Sequence, residues 1–145
     1  MKSSPLQLKQ IVNRRFTIEA KPGPKFGANT TVNVEHTFRR NDVETNKWVV
    51  ALTVEFKSLE PLPLHYEGLV ELVGQFEVDN GLAEEKHLLI VATTCPSILY
   101  SAAREMVTNF SARGPNGTFL LPTVSFVDLR LETIKLAEPA AAPST

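Results

Sequence analysis

The sequence is poor in the residues and segments on which several classes of protein depend. Cys95 is the single cysteine among 145 residues, so no internal disulfide can form, and the lack of a cysteine framework is typical of a reducing compartment. No apolar run approaches the ~20 residues of a membrane-spanning helix. The amino end leads from Pro5 into LQLKQ rather than into the apolar centre of a signal peptide. We therefore expect a cytoplasmic protein without direct membrane insertion.

Charge of one sign is also lacking. The formal net charge is −1, and the basic residues occur at most in pairs, at Arg14-Arg15 and Arg39-Arg40. Nucleic-acid-binding surfaces usually need a longer basic run or a strong positive balance. Nucleic acid is therefore not expected as a partner.

Groups that could form an active site are few and scattered. Cys95 has three possible histidine partners, His36, His65 and His87, but none lies in a recognisable nucleophile motif. Neither paired cysteines nor a His-Glu-x-x-His pattern is present to hold a metal, and the glycines form no phosphate-binding loop. We predict no catalytic, metal-binding or cofactor-binding residues, no cofactor and no enzymatic activity.

What the chain does contain is alternation of apolar and polar residues over its first half. In the first segment the even positions are mostly apolar, with a bulge expected near Gln10. Strands separated by short turn-like segments without helices predict an antiparallel sheet with one covered face. The four predicted strands are residues 6–20, 31–38, 48–57 and 64–78.

The second half is predicted to be helical around Pro96. Residues 82–94 have helical composition, and Pro96, which lacks an amide hydrogen, is expected to end that helix and begin another that stops at Gly114. The fold class predicted is therefore α+β, a four-stranded antiparallel sheet followed by two helices packed on one face. The apolar arc of the second helix suits either a core-facing helix or a seam between subunits. That arc comprises Leu99, Ala102, Ala103, Met106, Val107 and Phe110.

A loop and a tail complete the chain. Pro122 and the preceding turn make 119–122 unsuitable for a helix, and 124–135 fits either a strand or a helix. We expect one domain over residues 1–136. The Ala/Pro-rich residues 137–145 are predicted to be a disordered tail.

The stretch from Cys95 to Phe126 also carries four short elements in a fixed order. They are the pair Cys95-Pro96, the triplet Ala103-Arg104-Glu105, the closing pair Arg113-Gly114 and the apolar loop 121–126, LPTVSF. Together with FTIEAKP at 16–22, they resemble the SecB family of protein-export chaperones over roughly residues 5–133.

The resemblance implies a homotetramer, built as a dimer of dimers, that holds unfolded polypeptides in long grooves and passes them to the SecA motor without a nucleotide. Ordinary core packing is the alternative role of the groove candidates. The oligomer seam is expected at Leu99, Ala103, Met106 and Phe110. Client-binding candidates are Val32, Val34, Phe119, Leu120 and Leu121, and motor-docking candidates are Glu19, Glu67 and Glu71.

Two positions depart from the motor-docking pattern of the family. Glu19 matches one acidic position, but Arg15 and Leu69 stand where two others are expected. This difference leaves two functions open. One is an ATP-independent holding chaperone for export precursors, and the other is a SecB-like chaperone dedicated to a toxin–antitoxin system or another specific partner, without motor docking.

Overall fold

Four strands and one long helix form the framework in a computed structural model that describes residues 4–21, 30–58, 66–115 and 117–126. The strands are β1 (Leu6–Ala20), β2 (Thr30–Arg40), β3 (Lys47–Ser58) and β4 (Tyr66–Val78). They form one antiparallel sheet in the order β1-β4-β3-β2. The predicted four-stranded antiparallel sheet is confirmed.

The core lies on one face of this sheet. Leu52 is paired with Leu72 and Val54 with Val70 across the two central strands, and all four side chains are buried. Each such burial stabilises the fold by about 1.5–3 kcal/mol relative to exposure. The opposite face carries mainly polar and charged side chains, as expected from the alternation, with a small apolar group at Val12, Ala51 and Val73.

Strand β1 is irregular at two places. Its register against β4 shifts between Leu8 and Gln10 and again between Asn13 and Arg15. The first shift confirms the bulge expected near Gln10. Between the two bulges the alternation is inverted, because each extra residue moves the following side chains to the other face. Ile11, opposite Gly74, therefore faces the core side, and Val12, opposite Val73, faces the outer side.

Pro96 lies inside one continuous helix, α1 (His87–Ser111), which follows a short 3-10 turn at Glu84–Lys86. The prediction that Pro96 separates two helices is therefore wrong. The missing amide hydrogen and the ring clash cost about 3 kcal/mol. Val91 and Leu99, one turn to either side, are completely buried, and each contributes about 1.5–3 kcal/mol. Continuing the helix across Pro96 keeps both side chains in the core.

After α1 the chain turns back along the same face of the sheet. Residues 117–126, called here the return segment, are neither helix nor strand. Side chains of α1 hold it: Ser111 Oγ accepts a hydrogen bond from the Phe119 amide at 2.8 Å, Arg104 Nε donates to the Leu121 carbonyl at 3.1 Å, and the Tyr100 hydroxyl donates to the Pro122 carbonyl. The start of the 124–135 region is thus an extended strap, whereas the remainder of that region and the predicted tail at 137–145 lie outside the described residues.

Candidate functional site

The edge strand β2 and the return segment together border one side of the covered face. Val32 and Val34 on β2 are half-buried and lie opposite Phe56 and Val54. The return segment packs beside them, with the Phe119 ring centre 5.5 Å from that of Phe56. At its other end, Phe126 meets His36 edge to face at 5.7 Å.

The five predicted client-binding residues differ in accessibility. Leu120 is 63% exposed and Phe119 is half-buried, whereas Leu121 is only 1% exposed. Leu121 is thus part of the core, since Arg104 fixes its carbonyl against α1 and its side chain points inward. The accessible set is therefore Val32, Val34, Phe119 and Leu120.

This arrangement is suited to binding an extended polypeptide. Among the described residues, no strand lies beside the outer side of β2, and such an edge offers backbone donors and acceptors to an added strand. The apolar side chains next to it supply contact area that does not depend on a particular sequence. A polypeptide placed here would be held by apolar contact area and by backbone pairing.

Cys95 and His36, the nucleophile and the base considered from the sequence, lie in apolar surroundings. Burial raises the pKa of the Cys95 thiol, and burial lowers the pKa of His36. His87 is held by the Leu82 carbonyl, 3.1 Å from its Nε2. Over residues 4–21, 30–58, 66–115 and 117–126, no group of three histidine, cysteine, aspartate or glutamate side chains is placed to hold a metal ion. His65 lies outside the described residues.

The predicted motor-docking carboxylates lie on the outer face, and each has a cation beside it. Glu19 and Glu67 are opposite one another in the β1–β4 register. Lys21 forms an ion pair with Glu19 and approaches Glu67 Oε1 to 3.6 Å. The hydrogen bond and charge of Glu19 raise the pKa of Lys21. Glu71 lies opposite Arg15, so two cations partly neutralise these three carboxylates.

The predicted seam is divided between core and surface. Leu99 and Ala103 are completely buried against their own sheet, whereas Met106 is half-buried and Phe110 is 48% exposed. The accessible apolar strip on α1 therefore consists of Ile98, Ala102, Met106 and Phe110, which are spaced four residues apart. Ile98 and Ala102 are half-buried, and each lies one residue before a predicted seam residue, Leu99 or Ala103.

The helix strip continues onto strand β1. Phe110 packs edge to face on Phe16, with ring centres 6.1 Å apart, and Leu8 and Ile11 on the same side of β1 are 39% and 37% exposed. Sequence reasoning missed Ile98, Leu8 and Ile11 as surface residues. The signal in the sequence was the width of the apolar arc on the helix, which is broad enough to contact both its own sheet and a second surface.

The structure defines a small α+β domain, in which one helix and the return segment cover one face of a four-stranded sheet. Residues 2–135 match the family model described as preprotein translocase subunit SecB. The chain is 26% identical over 113 residues to a protein-export protein SecB from Rhodopseudomonas palustris (strain TIE-1), spanning 78% of this chain and 71% of that protein. A SecB from Hahella chejuensis gives the same identity over 114 residues, with the same coverage of both chains.

Structural comparison agrees with the sequence matches. The fold is similar to that of the Mycobacterium tuberculosis SecB-like chaperone Rv1957, solved in complex with a ChAD peptide from the Rv1956 HigA1 antitoxin. The TM-score is 0.65 at 18% identity, covering 83% of this chain and 91% of that one.

This chain belongs to the SecB family, and its membership supports a chaperone role in protein export. In the part of the chain that the structure describes, no helix combines the length and apolarity needed to cross a bilayer.

Proposed function

We propose that this protein is an ATP-independent holding chaperone that binds unfolded polypeptides in the cytoplasm, with precursors for Sec-dependent export as its clients. The observation that carries the proposal is the edge of β2, which pairs with no further strand among the described residues, beside the accessible apolar side chains of Val32, Val34, Phe119 and Leu120. The M. tuberculosis chaperone of similar fold, which holds a peptide from another protein, supports polypeptide as the ligand.

The energetics favour weak, repeated contacts along one client. Burying about 200 Å2 of apolar surface contributes about 5 kcal/mol at ~25 cal/mol per Å2. A millimolar Kd already requires about 4 kcal/mol. One groove therefore binds weakly, and several grooves on one assembly raise the avidity for a long unfolded chain.

The apolar strip on α1 and β1 supports assembly into the proposed homotetramer, a dimer of dimers. Phe110, Met106, Leu8 and Ile11 would contact a second subunit, since this much accessible apolar surface on one side favours association. Leu99 and Ala103 support the strip from inside the subunit. The molar mass in solution, measured by light scattering, tests the assembly, and a monomer at micromolar concentration would contradict it.

The motor-docking surface at Glu19, Glu67 and Glu71 has a specific alternative. Lys21 joins two of these carboxylates, Arg15 faces the third, and Leu69 stands at an expected acidic position. This partial neutralisation weakens attraction to a basic partner. This observation favours a second candidate function, a SecB-like chaperone dedicated to a toxin–antitoxin system or another specific partner without SecA docking.

Capture experiments separate the two functions. Many unrelated non-native proteins recovered with the tagged chain would support export holding, whereas one recurrent partner would support the dedicated role. Calorimetric titration with SecA provides an independent measurement. Lys21→Gln should strengthen SecA binding if the carboxylates form the docking surface.

Aggregation of a denatured client in ATP-free buffer tests the holding function directly. Light scattering should stay low at about one tetramer per client, and Leu120→Asp should weaken this protection because it places a charge within the apolar groove. Val43→Asp is the matched control, since Val43 is an apolar residue 85% exposed in the β2–β3 turn. Equal aggregation with and without the wild-type protein would refute the holding function. Equal protection by wild type and Leu120→Asp would refute only the assigned groove.

A further inference from the structure

The outer face of the sheet, opposite α1, changes in chemical character along the strands. The cross-strand register divides it into successive zones. One end carries cations, the middle is apolar, and the other end is acidic. The basic zone comprises Lys9, Arg39 and Lys47, the apolar zone Val12, Ala51 and Val73, and the acidic zone Glu35, Glu55 and Glu71.

The basic zone forms a pocket of ≈ 420 Å3. Lys9, Arg39 and Lys47 line it together with Gln75, and Glu77 is the acidic residue of the lining. Lys9 is the extra residue of the first β1 bulge. This volume lies in the range of small-ligand and side-chain sites.

Arg39 is the unusual member of the pocket. Its Nε is withdrawn from solvent and has no hydrogen-bond partner among the residues that the structure describes. The neighbouring Arg40, by contrast, donates to the Thr45 carbonyl at 2.6 Å and to Glu84 at 2.9 Å. Lys47 is paired with Glu44 at 3.0 Å. A buried donor without an acceptor is costly, and the cost is greater for a charged group. Within the described part of the chain, Arg39 Nε therefore lacks the acceptor that a buried donor requires.

We propose that this pocket binds the carboxylate of an acidic side chain on an extended peptide segment of a partner protein. A carboxylate can accept two hydrogen bonds from a guanidinium in a planar pair. The next side chains of an extended peptide on the same side follow at intervals of about 6.8 Å. They would lie over Val12 and Val73, which are adjacent in register and accessible.

The rest of the face selects a peptide over a polyanion. Glu35 and Glu71 lie in the row beyond the apolar zone together with Arg15, and the excess of carboxylates there would repel a continuous run of phosphates. The partner is therefore a peptide with an acidic residue followed by apolar ones. α1 and the return segment lie on the other face of the sheet. The acidic peptide of the partner and an unfolded client can therefore bind at the same time.

A fluorescein-labelled peptide with two glutamates followed by Val-Thr-Val, and its glutamine counterpart, test this site by anisotropy. The glutamate peptide should bind at least tenfold more tightly. Arg39→Gln should remove that difference, and Arg39→Lys should retain only part of it because lysine lacks the planar fork. Arg113→Gln makes the same charge change outside the pocket and should alter affinity less than twofold. Client protection should be unchanged in all three variants.

Several results would overturn the proposal. They are equal binding of the two peptides, equal effects of Arg39→Gln and Arg113→Gln, or displacement of the peptide by an oligothymidylate that binds more tightly. Lys9→Gln is a second variant in case Arg39→Gln does not fold, and it should weaken the glutamate peptide severalfold. Chemical-shift changes in NMR spectra of the protein, recorded as the peptide is added, locate its binding site. Changes confined to residues away from Val49 and Gln75 would also refute the site.

Discussion

Replacing Gly74 tests how α1 packs on the sheet. Gly74 lies on β4 between Ile11 and Val50. A methyl group added there would lie 2.9 Å from Leu99 Cδ2 and 2.5 Å from Phe76 Cε2. Leu99 is 0% and Phe76 2% exposed, so neither side chain has free space to move into.

The sign of the effect follows from these distances. Gly→Ala without strain stabilises a protein by about 0.4–1 kcal/mol through the unfolded chain. Overpacking a filled core costs about 1–3 kcal/mol. Gly74→Ala should therefore be destabilising by about 1–2 kcal/mol. Gly81→Ala is the control, because its added methyl group meets nothing nearer than 3.6 Å, and it should stay within about 0.5 kcal/mol of wild type.

Combining Gly74→Ala with Leu99→Ala makes the test specific. Leu99→Ala alone should cost about 2–5 kcal/mol by opening a cavity. In the double variant the new methyl group no longer meets Leu99 and fills part of that cavity. The double variant should therefore be about 1 kcal/mol more stable than the sum of the single effects predicts.

Urea unfolding followed by circular dichroism measures these free energies. All variants must be compared at one protomer concentration, because assembly links stability to concentration. Additivity within about 0.5 kcal/mol, or stabilisation by Gly74→Ala, would refute the packing of Leu99 over Gly74.

Three further predictions concern single side chains. Tyr100→Phe removes the donor to the Pro122 carbonyl and should lower the free energy of unfolding by about 0.5–1.5 kcal/mol, whereas an unchanged urea midpoint would contradict that anchor. Burial lowers the pKa of His36 below the 6.5 of free histidine, so the unfolded chain gains its proton first. Stability should then fall as pH drops below about 6.5, and His36→Gln should reduce this pH dependence. Burial raises the pKa of Cys95, so iodoacetamide should modify the urea-unfolded protein much faster than the folded one at pH 8. Equal rates would contradict a buried thiol.

The strands were predictable because alternation acts at short range. From Trp48 to Phe56 every even position is apolar, and the structure buries all of them. In β1 the even parity fails at Ile11 and Val12, because the first bulge exchanges the two faces and the second, near Arg14, restores them. The second bulge leaves no signature in the residue pattern. A bulge depends on the pairing with β4, which the sequence of β1 alone does not contain.

The helix and the site were predicted less fully for a related reason. The backbone penalty of Pro96 is local, whereas the burial that outweighs it depends on the sheet below. Leu121 and Leu120 are adjacent leucines, yet one is 1% and the other 63% exposed. Arg104 and Tyr100 on α1 fix the orientation of the return segment, and such long-range hydrogen bonds have no sequence signal.

Site-specific crosslinking tests the central claim, that unfolded polypeptide binds the groove beside β2, most directly. A photoreactive benzoylphenylalanine at position 120 would replace an exposed leucine of the return segment, and one at position 42 would replace exposed Asp42 in the β2–β3 turn. If unfolded polypeptide binds this groove, we expect strong crosslinks from position 120 to a denatured client and weak ones from position 42. Both should be lost with the folded client. Equal crosslinking from the two positions, or none from position 120, would contradict it.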